Sequence, residues 1–365
     1  MPKKIEESKK EIEKKLEEIG KKILEDIKHK RVPYLNIPSR TTNNIVYDPK
    51  SMCYVLGDKM ITRSAGNIRH VKPLAQMLKI ATFCKELVKE GTKHETKRGL
   101  YYISESWGEK LKFDEQQESD NLIEDIEAMI GKPREDIHII PNPGGSVYGD
   151  LTLRFKNPAG KMMEINCLQT ADGQTIGPRM CEAEIVKCNA DKVIAIETAG
   201  MYNRLMEEGA HKKFNAILVN LGGQATRATR RLIKRLNEIK NLPVYIFTDG
   251  DPWGLHIAMV IMAGSAKSAH INKMLATPSA QWIGVTATDI KKYKLRADKL
   301  RDVDFARIKE LKKDPRYRKD KRLQEELKTW EEIKKKAEQQ ALLKYGLRYV
   351  VDEYLPAKLK ELEKR

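Results

Sequence analysis

Cysteine is scarce. The chain has five in 365 residues, Cys53, Cys84, Cys167, Cys181 and Cys188. The number is odd and no pair has CxxC spacing, which excludes a disulfide framework and a zinc ribbon. A reducing, cytoplasmic setting follows. No apolar run approaches the roughly 18 residues of a membrane span. The charged N-terminus lacks the apolar stretch of a secretory signal, so no membrane role is expected. Neither a Gly-x-x-x-x-Gly-Lys-Ser/Thr loop nor a Gly-x-Gly-x-x-Gly fingerprint occurs. Acids are outnumbered, 52 Asp and Glu against 69 Lys and Arg, a formal charge of +17. Such a chain attracts polyanions, nucleic acid foremost. Part of that charge is Lys and Glu alternating on solvated helix faces at both ends. Internal repeats and low-complexity tracts are absent too.

What remains is enough for two or three domains with real cores. Residues 3 to 30 read as a helix, with Ile5, Ile12 and Ile19 spaced by seven and Leu16, Ile23 and Ile27 filling the stripe. Nothing nearby in sequence covers that stripe, so a partner, a second protomer or a later domain is expected to. Met52–Leu56 and Lys59–Arg63 suggest a hairpin around Gly57-Asp58. Pro73 opens a helix that stops at Gly91, Thr96 caps a short one through Ile103, and a third runs near Phe113 to Met129. Strand-like runs follow at His138–Ile140 and Leu151–Phe155. Three helices and a terminal strand pair suit a winged-helix module, a relative of the helix-turn-helix that binds duplex DNA. Pro141-Asn142-Pro143-Gly144-Gly145 is the densest cluster of breakers and marks a domain boundary. The expected domains are 1–68, 69–143 and 144–365. Beyond the boundary, strands at Lys192–Ile196, Ala216–Asn220, Val244–Phe247 and Trp282–Val285 alternate with helices, which argues for a parallel, doubly wound sheet. The last seventy residues read as long charged helices.

Chemistry gathers at strand ends. Val244–Phe247 runs into Thr248-Asp249-Gly250-Asp251-Pro252, and Lys192–Ile196 runs into Glu197. In a parallel sheet these ends share one edge, where ligands bind. Three acids there suit a hard cation such as magnesium, which can stabilise charge on a phosphate while an unligated acid moves a proton. Alone, Asp-Gly-Asp also fits a solvated turn, and Glu197 also fits an acid favoured by a helix N-terminus. The 226–236 helix places Arg227, Arg230, Arg231, Lys234 and Arg235 opposite its apolar side. Such a face can follow a phosphate backbone, or can simply be solvated. Tyr101 and Tyr102 are adjacent on a short amphipathic helix, where aromatics mostly fill space. A tyrosine hydroxyl, with an ordinary pKa of about 10, needs help to act as a nucleophile. Arg98 lies one turn before Tyr102, where its guanidinium can bind an attacked phosphate bidentately and favour the phenolate.

Glu, then Asp-x-Asp about fifty residues on, resembles the Toprim domain of topoisomerases, primases and certain nucleases. The whole set resembles the A subunit of topoisomerase VI, a type IIB DNA topoisomerase whose family includes the meiotic double-strand-break protein. The resemblance rests on Lys97-Arg98-Gly99-Leu100-Tyr101-Tyr102, Ile194–Tyr202, Asn220–Arg227 and Asp249–Gly254, and covers the chain from about Ser64 onward. It implies an α/β plus α+β protein, a winged-helix domain followed by a Toprim domain, with helical extensions at both ends. It implies Tyr102 as the nucleophile, Arg98 beside it, and Glu197, Asp249 and Asp251 as magnesium ligands, with Glu197 also a proton carrier. Gly99 departs from the family, which usually has an acid after the arginine. The implied reaction is a double-strand break made by transesterification, leaving a 5′-phosphotyrosyl link that is later resealed. With no ATP loop in this chain, the resemblance implies a separate ATPase B subunit in an A2B2 heterotetramer built on an A-subunit homodimer, acting on double-stranded DNA at the nucleoid. In such a dimer Tyr102 serves the acids of the other protomer. The competing readings are a break-forming enzyme without an ATPase partner, a phosphotransferase using Asp249 as nucleophile, and a DNA-binding scaffold without catalysis.

Overall fold

The computed structural model describes residues 2–363 apart from Thr92, Asn142 and Lys319. Asn142, in the expected boundary stretch, and the side chain of Ile5 lie outside the described residues. The chain forms two compact units. The first holds residues 1–46, 54–142 and 266–274, and the second holds 47–53, 143–265 and 275–365. The excursion of 266–274 into the first unit has no signature in the sequence. It is fixed there by Asn272, which donates to the Tyr54 carbonyl at 2.9 Å, and by His270, whose Nε2 lies 3.3 Å from Glu127.

In the first unit a long helix, α1 (Pro2–Lys28), packs along α2 (Ile68–Glu90). Ile12, Leu16, Ile19 and Ile23 are buried in one core with Leu74, Met77, Ile80 and Cys84 of α2. The stripe of α1 is therefore covered within the chain rather than left for a partner, and only its end remains open, at Leu24 and Ile27. Helix α2 begins five residues before Pro73, because the Asn67 side chain accepts the Arg69 N–H and caps it. Helix α3 (Lys97–Ile103) is capped by Thr96, as its sequence suggests, and α4 (Gln116–Ile130) ends at Gly131 in the left-handed conformation.

Two strand expectations fail. The hairpin around Gly57-Asp58 does not form. Met60–Ser64 pairs with Tyr34–Pro38 and Cys53–Leu56 pairs with Ile45–Asp48. The expected terminal strand pair is also absent. Ile139–Ile140 pairs in parallel with Glu95–Thr96, while Leu151–Lys156 joins a three-stranded antiparallel sheet of the second unit. Strand partners are chosen by non-local packing, which local turn signals do not encode.

The second unit is built on a six-stranded sheet. Its four parallel strands stand in the order β2 (Ala216–Asn220), β1 (Lys192–Ile196), β3 (Val244–Phe247) and β4 (Gln281–Gly284). Ser146–Tyr148 and Gln174–Thr175 extend it antiparallel beyond β2. Alternate residues serve opposite cores. Val193, Ala195, Val219, Val244 and Ile246 face one, with helices α6 (Arg227–Lys240) and α7 (Pro252–Ala263); Ile194, Ile196, Leu218 and Phe247 face the other, with α5 (Ala199–Glu207). Burial on both faces is why these strands are apolar throughout rather than alternating. The C-terminal region departs from the expected long helices. After Lys321–Ile333 it runs through a two-residue strand and a 3-10 turn, Gln339–Tyr345, before the last helix. No helix among the described residues is long and apolar enough to cross a membrane.

Candidate active site

The residues singled out in the sequence fall into two groups, one in each unit. In the first, Thr96 accepts the Gly99 N–H at 2.9 Å and starts α3. The Glu95 carboxylate folds back over Gly99, so closely that a Cβ there would meet its oxygen at 1.9 Å. A side chain at this position would displace only the flexible end of Glu95, not the backbone. Tyr101 and Tyr102 touch edge to face, with ring centroids 5.3 Å apart. Their surroundings differ. Tyr101 packs against the core of the unit, whereas Tyr102 is 57% exposed. The guanidinium carbon of Arg98 lies 5.9 Å from the Tyr102 ring centroid. Its hydrogen bond to Tyr102 raises the Arg98 pKa above the ordinary guanidinium value, so a full positive charge stands beside an accessible phenol.

The second centre is the carboxyl edge of the parallel sheet. Central strands β1 and β3 are neighbours with Ile196 opposite Phe247, so Glu197 and Asp249 emerge side by side. Oε2 of Glu197 accepts the Asp249 N–H at 2.9 Å. Oδ1 of Asp249 accepts the Gln339 N–H at 2.9 Å. Oδ1 of Asp251 accepts the Gly254 N–H at 2.6 Å and caps α7, with Pro252 at the first helical position. Gly254 is needed there, since a Cβ would meet the Asp249 carbonyl oxygen at 2.3 Å.

Electrostatics mark this edge as strained. Burial, then the nearby Asp249 charge, pushes Glu197 up to about 8, against the N–H bond that favours its ionised form. Burial pushes Asp249 up to about 6, with Asp251 and Glu338 adding to the shift. Burial raises Asp251 as well, opposed by the Gly254 N–H and by Lys336. Clusters of this kind are typical of functional sites.

The expected convergence of three carboxylates on one cation is corrected in its detail. Among the described residues, no three His, Cys, Asp or Glu side chains are already gathered around one cation position. The reason is local: Asp251 is turned into the first turn of α7 and Glu197 toward a backbone N–H. The donor set nonetheless fits a hard divalent cation. It is all oxygen, each carboxylate offers about four lone-pair sites of which one N–H bond uses one, and the repulsion is of the kind a cation relieves.

A stability measurement follows from these shifts. An acid whose pKa rises on folding stabilises the protein below its unfolded value, and that stability is lost as pH climbs through the folded value. For Glu197 the window runs from its ordinary 4.5 to about 8. Discounted for a half-buried site, the loss is about 1 kcal/mol, roughly 2–4 °C. Without divalent cations, wild type should melt lower at about pH 8.5 than at about pH 6 by that much relative to Glu197→Gln, and magnesium should erase the difference. Parallel melting curves for the two proteins at both pH values would refute it.

The expected basic face is not an open strip. Arg230 is 6% exposed. Arg231 makes a two-pronged ion pair with Glu182 at 2.6 and 3.2 Å, and Arg235 donates to the Ala183 carbonyl at 2.7 Å. Arg227 is half-buried and also engaged within the chain. The helix periodicity is real, but a neighbouring segment covers much of the charged side.

One residue of the acidic edge was missed from the sequence. Gln339 is fully buried and bonds to Asp249, Thr198 and Phe247. A neutral amide in a charged, aperiodic stretch gives no signal.

Two family models match the chain. Residues 192–359 match the family model for the Toprim domain of the topoisomerase 6 A subunit/Spo11, and residues 72–139 match the type IIB DNA topoisomerase model. The A subunit of type 2 DNA topoisomerase 6 from Methanothermobacter thermautotrophicus is 51% identical over 96% of this chain and 97% of its own length. Those from Archaeoglobus fulgidus and Halobacterium salinarum are 44% and 41% identical over 94% and 91% of this chain, and 95% and 91% of their own.

Proposed function

The chain belongs to the family of topoisomerase 6 A subunits, and on that premise we propose how its two centres divide the work. It is a type IIB DNA topoisomerase subunit, an isomerase that breaks DNA. Tyr102 is the nucleophile. Its hydroxyl proton goes to solvent as its oxygen attacks a backbone phosphorus, a P–O bond to the 3′ oxygen breaks, and the DNA 5′ end is left on the tyrosine. The phosphodiester is exchanged for a phosphotyrosyl ester, so the reverse attack by the 3′ hydroxyl reseals the strand without ATP. Arg98 binds the attacked phosphate. The observation that carries this reading is the exposed Tyr102 hydroxyl beside the charged Arg98.

Asp249, Asp251 and Glu197 are the residues that would hold magnesium, which supplies charge stabilisation at the phosphate. Glu197, where the metal leaves one of its oxygens unligated, would give the leaving 3′ oxygen its proton and take it back on resealing. The first unit, whose helix α3 carries Tyr102, is the module that presents it to duplex DNA. Arg227 and Arg231 remain candidate phosphate contacts; Arg230 is left out because its guanidinium is buried. Two chains act as a dimer, each cutting one strand, in a heterotetramer with two ATPase B subunits at the nucleoid. Supercoiled plasmid tests this division. With magnesium and ATP the chain alone should pass no strands, and adding the ATPase partner should give ATP-dependent relaxation. Relaxation by the chain alone would overturn it.

A further inference from the structure

Gln339 lies where the C-terminal region returns to the acidic edge. Its side-chain oxygen accepts from the Thr198 hydroxyl at 2.9 Å and from the Thr198 N–H at 3.3 Å. Its side-chain nitrogen donates to the Phe247 carbonyl at 3.0 Å. Its backbone N–H donates to Oδ1 of Asp249 at 2.9 Å. Thr198 directly follows Glu197, and Phe247 ends the strand that leads to Asp249. One fully buried residue thus joins both strand ends and one of the carboxylates. The amide can sit only one way round, because its oxygen faces two donors and its nitrogen faces an acceptor. The neighbouring chain strengthens the brace. Gly250 and Ala337 exchange backbone bonds at 2.7 and 3.2 Å, and the Gln340 amide donates to the Thr198 hydroxyl at 3.3 Å.

We propose that Gln339 is a positioning residue for the acidic site, setting the spacing of Glu197 and Asp249 and with it the affinity for a divalent cation. The inference rests on the reading of those acids as cation ligands. Outer groups that orient metal ligands change affinity by about 10- to 100-fold when lost. Gln339 does not titrate and, in this arrangement, has no lone pair turned to a cation, so its effect is on geometry.

The test uses manganese as the probe and the full-length chain without DNA, with bound and free metal separated by electron paramagnetic resonance. Gln339→Met keeps the length of the side chain and removes its hydrogen bonds. Its half-saturation should rise about tenfold. Thr198→Val removes one hydroxyl and nearly conserves shape. That hydroxyl donates to Gln339, accepts from Gln340 and caps α5 at the Met201 N–H, so half-saturation should rise at least about threefold, the worth of one hydrogen bond, and Thr198→Ser, which keeps all three bonds, should match wild type. If Gln339→Met folds poorly, the Thr198 pair decides. Wild-type affinity in Gln339→Met and Thr198→Val, with binding abolished in Asp249→Ala, would refute the brace and leave the ligand assignment standing. Wild-type affinity in Asp249→Ala would remove the ligand assignment, and the brace with it.

Discussion

Tyr102→Phe is expected to lower DNA cleavage by several orders of magnitude, as loss of a nucleophile does, while duplex binding stays at the wild-type level. The substitution removes one oxygen from a side chain that is 57% exposed. The ring can keep its edge contact with Tyr101, and the Thr96 cap of the helix is untouched. Exposed changes of this kind usually alter stability by no more than about 0.5 kcal/mol, so a lost activity would report chemistry and not folding. Tyr101→Phe is the matched control. Its ring belongs to the core contacts, and its loss of a hydroxyl should cost no more than a few-fold. Covalent protein–DNA complexes, counted after denaturation, separate the two. Complexes that persist in Tyr102→Phe and vanish in Tyr101→Phe would reverse the choice of tyrosine.

Asp249→Ala should abolish magnesium-dependent cleavage, with a thermal midpoint equal to or above wild type when no divalent cation is present. Two effects compete in the folded state. The Gln339 N–H loses its acceptor, which costs about 1–3 kcal/mol if it stays buried and unpaired. Against that, Glu197 loses the Asp249 charge, the second largest cause of its raised pKa. Asp249→Asn keeps the acceptor and removes the charge, so it should be the more stable of the two and equally inactive. Mixed dimers extend the test. A Tyr102→Phe protomer paired with an Asp249→Ala protomer should nick one strand if each acidic site works with the tyrosine of the other chain. Complete inactivity of every mixed dimer would sink that shared arrangement.

How far the sequence leads depends on whether a feature is local. The parallel strands were legible because both of their faces are buried, so Val193–Ile196 and Ala216–Val219 are apolar without a break. The cap at Thr96 was legible because a capping side chain sits next to the helix it starts. Glu197 and Asp249 could be paired on paper because parallel strands end on the same edge. Partner choice was not legible. Met60–Ser64 goes to Tyr34–Pro38 across an intervening strand pair, and nothing in the turn around Gly57-Asp58 encodes that. Arg230 looked like surface because periodicity gives a helix face but not what lies over it. Asp251 reads as a ligand in sequence, and that one of its carboxylate oxygens also caps its own helix was not read. Gln339 stayed hidden because its role is made by four hydrogen bonds to residues about 90 to 140 positions away.

The central claim, that Tyr102 makes the covalent bond to DNA, is tested most directly by trapping the cleavage complex and mapping the adduct. The full enzyme, with its ATPase partner, magnesium and a duplex, is quenched with denaturant during turnover, digested with protease and nuclease, and the modified peptide is sequenced by mass spectrometry. The account predicts a nucleotide on the Lys97–Ile103 stretch, attached to Tyr102 through its 5′ phosphate, with the 3′ hydroxyl of the broken strand free. An adduct on Asp249, on Tyr101, or on a 3′ phosphate would contradict it.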